Sequence, residues 1–161
     1  PDLDPGLRRM TQAPVVPEAF GVTVFCDDIR FETDGKFTLV GSYAGDMQLR
    51  GSFPAILPKF ATSILFAQRK DFFSRDLKLQ IFLPGDADDR PSVVSDLATD
   101  EALANMPEAD SDYVVVRANL IFSPLALAQP GRIKVRVLRG DVPFVAGSLK
   151  VVAEPADNDP S

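Results

Sequence analysis

The sequence predicts an all-β chain: an antiparallel β-sandwich of about seven strands, with a partly closed β-barrel as the alternative. Three observations lead there. Apolar residues recur with a period of two through most of residues 20–153, not with the 3.6 of a helix. Turn formers punctuate the runs at Asp34-Gly35, Phe53-Pro54, Pro84-Gly85, Pro130-Gly131 and Gly140-Asp141. A single short stretch, TDEALANM at 99–106, has helical character, with Thr99 as N-cap, Asp100 and Glu101 in the first turn, and Pro107 as the stop.

The elements follow in order. FGVTVFCD places Val22, Val24 and Cys26 on one face. The alternation then changes phase at Asp27-Asp28, because the next apolar pair is Ile29 and Phe31. A β-bulge produces such a break, and aspartate tolerates the irregular backbone. Asp34-Gly35 supplies two residues able to take positive φ, so 22–32 and 36–44 are expected to pair as a bent hairpin. KFTLVGSY sets Phe37, Leu39 and Tyr43 against Thr38 and Ser42. FATSILFAQ is mostly apolar, which suits a strand buried on both faces. LKLQIFL turns Leu77, Leu79, Ile81 and Leu83 inward. YVVVRANLIF does the same with Val114, Val116, Ala118, Leu120 and Phe122, leaving Arg117 and Asn119 outside. GRIKVRVLR is the cleanest alternation, Ile133, Val135 and Val137 against Arg132, Lys134 and Arg136, and FVAGSLKVV follows it closely.

Around this domain the composition shifts. Residues 1–19 carry Pro1, Pro5, Pro14 and Pro17 and few large apolar side chains, so they read as a proline-rich arm. Residues 154–161 read as an acidic tail. The 161 residues suit one domain, with twelve Phe to fill its core. No apolar run reaches the ~18 residues of a membrane span, and the first residues lack a secretory h-region. One cysteine, Cys26, allows no internal disulfide, so the expected compartment is the cytoplasm, or a virion.

Histidine is absent, and that decides more than any motif. Ser-His-Asp triads, Cys-His pairs and His-rich metal sites all need imidazole. Ser-x-x-Lys, G-x-S-x-G, Walker A and G-x-G-x-x-G patterns are missing as well. No catalytic residue, no metal site and no cofactor is therefore expected. Cys26 lies among apolar neighbours with negative charges beside it, which disfavours a thiolate and suits a small buried hydrophobe. The candidate binding residues are Asp27, Asp28, Arg30 and Asp46, which would present charge at the bulge near a sheet end.

Charge is uneven. Residues 84–112 hold nine acids (Asp86, Asp88, Asp89, Asp96, Asp100, Glu101, Glu108, Asp110, Asp112) and one base, Arg90; that segment carries −8 of the net −6, leaving +2 elsewhere. Such a long acidic insert reads as a solvated excursion covering one end of the sandwich, or as a surface for a basic partner. GDADD at 85–89 has the oxygen ligands for calcium but not the EF-hand spacing. Arg132, Lys134 and Arg136 form a basic row that reads as a solvated strand face, one that also discourages edge pairing. The acidic total and the lack of interleaved aromatics argue against nucleic acid.

Cys26-Asp27-Asp28-Ile29-Arg30, Gly35-Lys36, Gly41-Ser42-Tyr43 and Gly45-Asp46-Met47, with the ending GRIKVRVLRGDVPFVAGSLKVV, resemble an uncharacterised family of small bacterial and phage-borne proteins of unknown function. The resemblance covers most of 20–153 and implies no activity. The expected role is a non-catalytic protein-binding or structural module, phage-related or an assembly component, acting through a protein partner or self-association, with neither nucleic acid nor membrane as ligand. The alternative is a carboxylate-based enzyme or small-ligand protein drawing on Asp27, Asp28 and Asp46, or a protein that binds calcium through GDADD.

Overall fold

The computed structural model describes residues 16–97, 100 and 111–154. Phe60–Arg69 (β6) organises the fold, and its apolar composition is the reason: all but two of its ten residues are buried, on both faces. It pairs antiparallel with Ala19–Cys26 (β1) on one side and Tyr113–Phe122 (β9) on the other. The second sheet has five strands: Met47–Arg50 (β4), Val142–Glu154 (β12), Gly131–Arg139 (β11), Leu77–Phe82 (β7) and Val93–Asp96 (β8), in that spatial order. Two small pairs complete the fold, Asp28–Phe31 (β2) with Phe37–Val40 (β3), and Ala55–Leu57 (β5) with Leu125–Leu127 (β10). Every ladder is antiparallel except β12 with β4. The chain is thus an all-β sandwich with one sheet curled towards a half-barrel.

The main core lies between the two large sheets. Phe60, Ile64 and Phe66 from β6 meet Leu79 and Ile81 from β7, Ile133, Val135 and Val137 from β11, and Leu149 and Val151 from β12. All seven strong strands expected from the alternation are present. Twelve strands form among the described residues, because β2, β4, β5, β8 and β10 are only three or four residues long, too short to show a period. The helix expected over 99–106 lies outside the described residues, apart from Asp100. The N-terminal arm expected over 1–19 lies outside them up to residue 15. Pro17 and Glu18 are already fastened, the Pro17 carbonyl accepting from Tyr113 Oη at 2.5 Å and the Glu18 carbonyl from Arg69 N at 2.8 Å.

Two expectations need correction. The bent hairpin over 22–32 and 36–44 divides in two. Residues 19–26 find a better partner in β6, and only 28–31 pair with 37–40. The turn itself has the expected chemistry, with Asp34 at φ 65° and Gly35 at φ 71°. Phe37, Leu39 and Tyr43 also do not share one side. Gly41, at φ 67°, turns the chain, so Phe37 and Leu39 pack on a second cluster (Cys26, Ile29, Ala61) while Tyr43 joins the main core against Phe60.

The sheets come closest where β12 crosses β1. Val135 pairs with Gly147 and Arg136 with Val145, which leaves Ala146 as the extra residue of a bulge. Ala146 is buried against Gly21, where a Cβ would fall 2.6 Å from its own; a Cβ on Gly147 would stand equally close to Thr23. Two glycines facing two small side chains permit an approach that larger residues would block.

Candidate functional site

The four expected site residues start from the bulge and separate. Asp27 follows the last residue of β1, its N–H donating to the Val40 carbonyl at 3.0 Å, out of step with the β2–β3 register. Its carboxylate accepts from Tyr43 Oη at 2.6 Å and rests on the bare Cα of Gly41, where any Cβ would overlap it. Burial pushes the Tyr43 phenol well above its ordinary pKa, and the Asp27 carboxylate adds to the effect. Asp28 points elsewhere: Lys59 Nζ lies 3.0 Å from its Oδ1, which also accepts from Ile29 N at 2.8 Å. The Lys59 hydrogen bond is the main reason its pKa falls below the usual carboxylate value, against some desolvation. Arg30 is exposed on β2 opposite Thr38. Asp46 lies before β4 and pairs with Lys150 at 3.4 Å. The adjacent carboxylates of Asp27 and Asp28 thus serve different partners.

Cys26 is fully buried with Ile29 and Ala61, its thiol donating to the Ala61 carbonyl at 3.7 Å. Burial raises its pKa and the charges of Asp27 and Asp28 add to that, which is the environment of an inert thiol.

An open groove of about 430 Å³ runs beside the β1–β12 crossing. Gly21, Val22 and Thr23 form one wall, the loop from Tyr43 to Asp46 another, and Gly147 to Lys150 with Arg132 the third. Of the four expected residues only Asp46 lines it. Arg132 and Lys150 reach it because the β11–β12 register sets them directly opposite each other. Sequence could show the basic row of β11, but not which residue of β12 stands beside it.

The acidic insert spends part of its charge on the domain. Asp86 Oδ2 accepts from Leu83 N at 2.8 Å and Ser92 N at 2.9 Å, closing a tight turn. Asp88 pairs with Lys134 at 3.1 Å, and its carbonyl accepts from Arg136 at 3.4 Å. So the basic row is partly roofed by GDADD, whose carboxylates serve as turn-former and latch. Among the described residues no group of three or more carboxylates or thiols is placed to hold a metal ion, and no helix is long and apolar enough to cross a membrane.

The outer face of the β1–β6–β9 sheet is divided. At one end the β2–β3 hairpin covers Cys26 and Ala61, with Arg117 stacked 5.1 Å over Phe37. At the other end Phe20, Ala67 and Val115 stand in one cross-strand row, with Val22 and Leu65 in the next. There Phe20 is 41% exposed, Val22 51% and Val115 44%. Val22 was expected to point the same way as Cys26, and it does; the main core takes the opposite set, Ala19 and Phe25. The apolar period cannot choose between two faces when both carry apolar residues.

No family model, curated protein or solved structure matches the chain.

Proposed function

We propose that this chain is a non-catalytic module that holds another protein, and that the partner meets it along β1. One observation carries the reading: strand β1 borders both the apolar rows that stay exposed among the described residues (Phe20, Val22, Val115) and the open groove (Gly21, Val22, Thr23). Exposed apolar side chains in neighbouring rows of a sheet favour association by removing that area from water. The carboxylates support the same reading, since Asp27, Asp28 and Asp46 are each engaged by a tyrosine or a lysine. A structural subunit of a larger assembly, in the cytoplasm or in a phage particle, is the concrete form of this role.

The test compares complexes recovered with the tagged protein from its own cells. Val22→Glu should release the bound protein. Val94→Glu, on exposed strand β8 of the other sheet, should retain it. Equal retention by both variants would refute an interface along β1.

A further inference from the structure

The groove beside β1 has the charge and shape for one kind of segment. In the β11–β12 ladder Arg132 stands directly opposite Lys150, both exposed. Like charges directly across a pair of strands repel, so an anion set between them is favoured there. Asp46 supplies one carboxylate, at 3.4 Å from Lys150. Asp88 spends its carboxylate on Lys134 and offers Arg136 only its main-chain carbonyl, so it leaves no charge for Arg132. Among the described residues Arg132 has no carboxylate partner; its guanidinium donates to Ser148 Oγ at 3.3 Å. The mouth of the groove is therefore a local excess of positive charge on a protein whose net charge is −6.

The walls add main-chain polarity. Arg69 N donates to the Glu18 carbonyl, which fixes the phase of the β1–β6 ladder. Phe20 and Val22 exchange bonds with β6, so Gly21 and Thr23 turn their N–H and C=O groups to the other side. The same phase turns the Phe25 carbonyl outward, where it accepts from Tyr43 N at 2.9 Å. Strand β1 is an edge strand, and its outward groups at Gly21 and Thr23 border the groove. A strand edge flanked by small residues is how extended peptides are held in many complexes.

We infer that this groove receives an extended, acidic segment of the partner, whose carboxylates sit on Arg132 and Lys150 and whose main chain lies along the Gly21–Thr23 edge. The inference rests on the protein-binding reading above and names the chemistry of the segment bound. Asp46 acts as an internal competitor that the incoming carboxylates displace.

The test uses two fluorescein-labelled octapeptides, one alternating Glu and Val, the other alternating Lys and Val, titrated with the full chain and read by anisotropy. The Glu peptide should bind saturably, and its affinity should fall about tenfold or more between about 50 mM and about 500 mM salt. Arg132→Glu/Lys150→Glu should abolish binding, and Asp46→Asn should strengthen it. Lys36→Glu/Lys78→Glu, which changes net charge equally at two exposed sites outside the groove lining, should leave it unchanged. All variants are checked for wild-type thermal melting. Equal binding of the Lys peptide, absent binding, or equal loss with both charge reversals overturns the inference. If that happens while the Val22-dependent complex persists, only the acidic segment is lost; if the complex is also insensitive to Val22→Glu, the module reading falls too.

Discussion

Tyr43 donates a 2.6 Å hydrogen bond to Asp27 across the break between β1 and β2, with Gly41 filling the corner beneath the carboxylate. This contact joins the small hairpin cluster to the main core, because the Tyr43 ring packs 6.2 Å from Phe60 while its hydroxyl reaches the bulge. The residue pattern that marked the segment as a possible charged site turns the chain from one cluster to the other.

Tyr43→Phe should cost about 0.5–1.5 kcal/mol at neutral pH, the usual net value of one hydrogen bond. Its pH dependence is more telling. Burial, with Asp27, holds the folded phenol above its ordinary pKa, while in the unfolded chain it ionises near ~10. A folded pKa above the unfolded one means the contribution is complete below about pH 10 and declines as the pH rises beyond it. Urea melts from neutral to strongly alkaline pH should show wild type losing stability faster than Tyr43→Phe. Parallel curves would contradict the buried, Asp27-bound phenol.

Gly41→Ala tests the same corner. At φ 67° the new side chain is strained, and its Cβ overlaps Asp27, so a loss of about 1–3 kcal/mol is expected. Asp27→Ala in the same chain removes the overlap but not the φ strain. The double variant should therefore be more stable than the sum of the two single losses predicts. Strict additivity would mean that Asp27 does not lie on Gly41.

Much of the fold was legible because the long strands repeat cleanly. Ile133, Val135 and Val137 alternate with three bases and are all buried in the core. The doubly apolar β6 became the strand covered on both faces. Other features could not be read from the local pattern. Cys26 and Phe25 are both buried, one in each cluster, so alternation alone could not say that Val22 stays outside. The division of the hairpin at Asp27 depended on a contest between partners distant in sequence, which β6 won. The groove was the least visible feature. It depends on the pairing of Arg132 with Lys150 and on Gly21 meeting Ala146, and neither contact leaves a local signature in the chain.

The β1–β12 crossing sets a limit on side-chain size. Gly147→Ala would bring a Cβ to 2.6 Å from that of Thr23, and one of the two strands must shift. A cost of about 1–3 kcal/mol is expected, as for other overpacked sites. Gly45→Ala, in the nearby loop, meets nothing within 4 Å and has ordinary negative φ. It should be neutral or stabilising by up to about 1 kcal/mol through the unfolded chain. Similar effects of the two substitutions, measured by chemical denaturation, would rule out a close crossing.

Asp86 should make the domain sensitive to acid. Burial pushes its carboxyl pKa up, but hydrogen bonds from Ser92 and Leu83 outweigh that and leave it below the usual value. A folded pKa lower than the unfolded ~3.9 gives stability that is complete above that pH and is lost as the pH falls through the folded value. Asp86→Asn keeps the shape and removes the charge. It should be less stable than wild type at neutral pH by about 1–2 kcal/mol, because two main-chain donors lose an ionised acceptor. As the wild-type carboxylate takes up its proton, that advantage disappears, and the two stabilities should converge once the pH has fallen below the lowered folded value. A gap that stays constant from neutral to acid pH would show that the turn at Leu83–Ser92 does not depend on the charge.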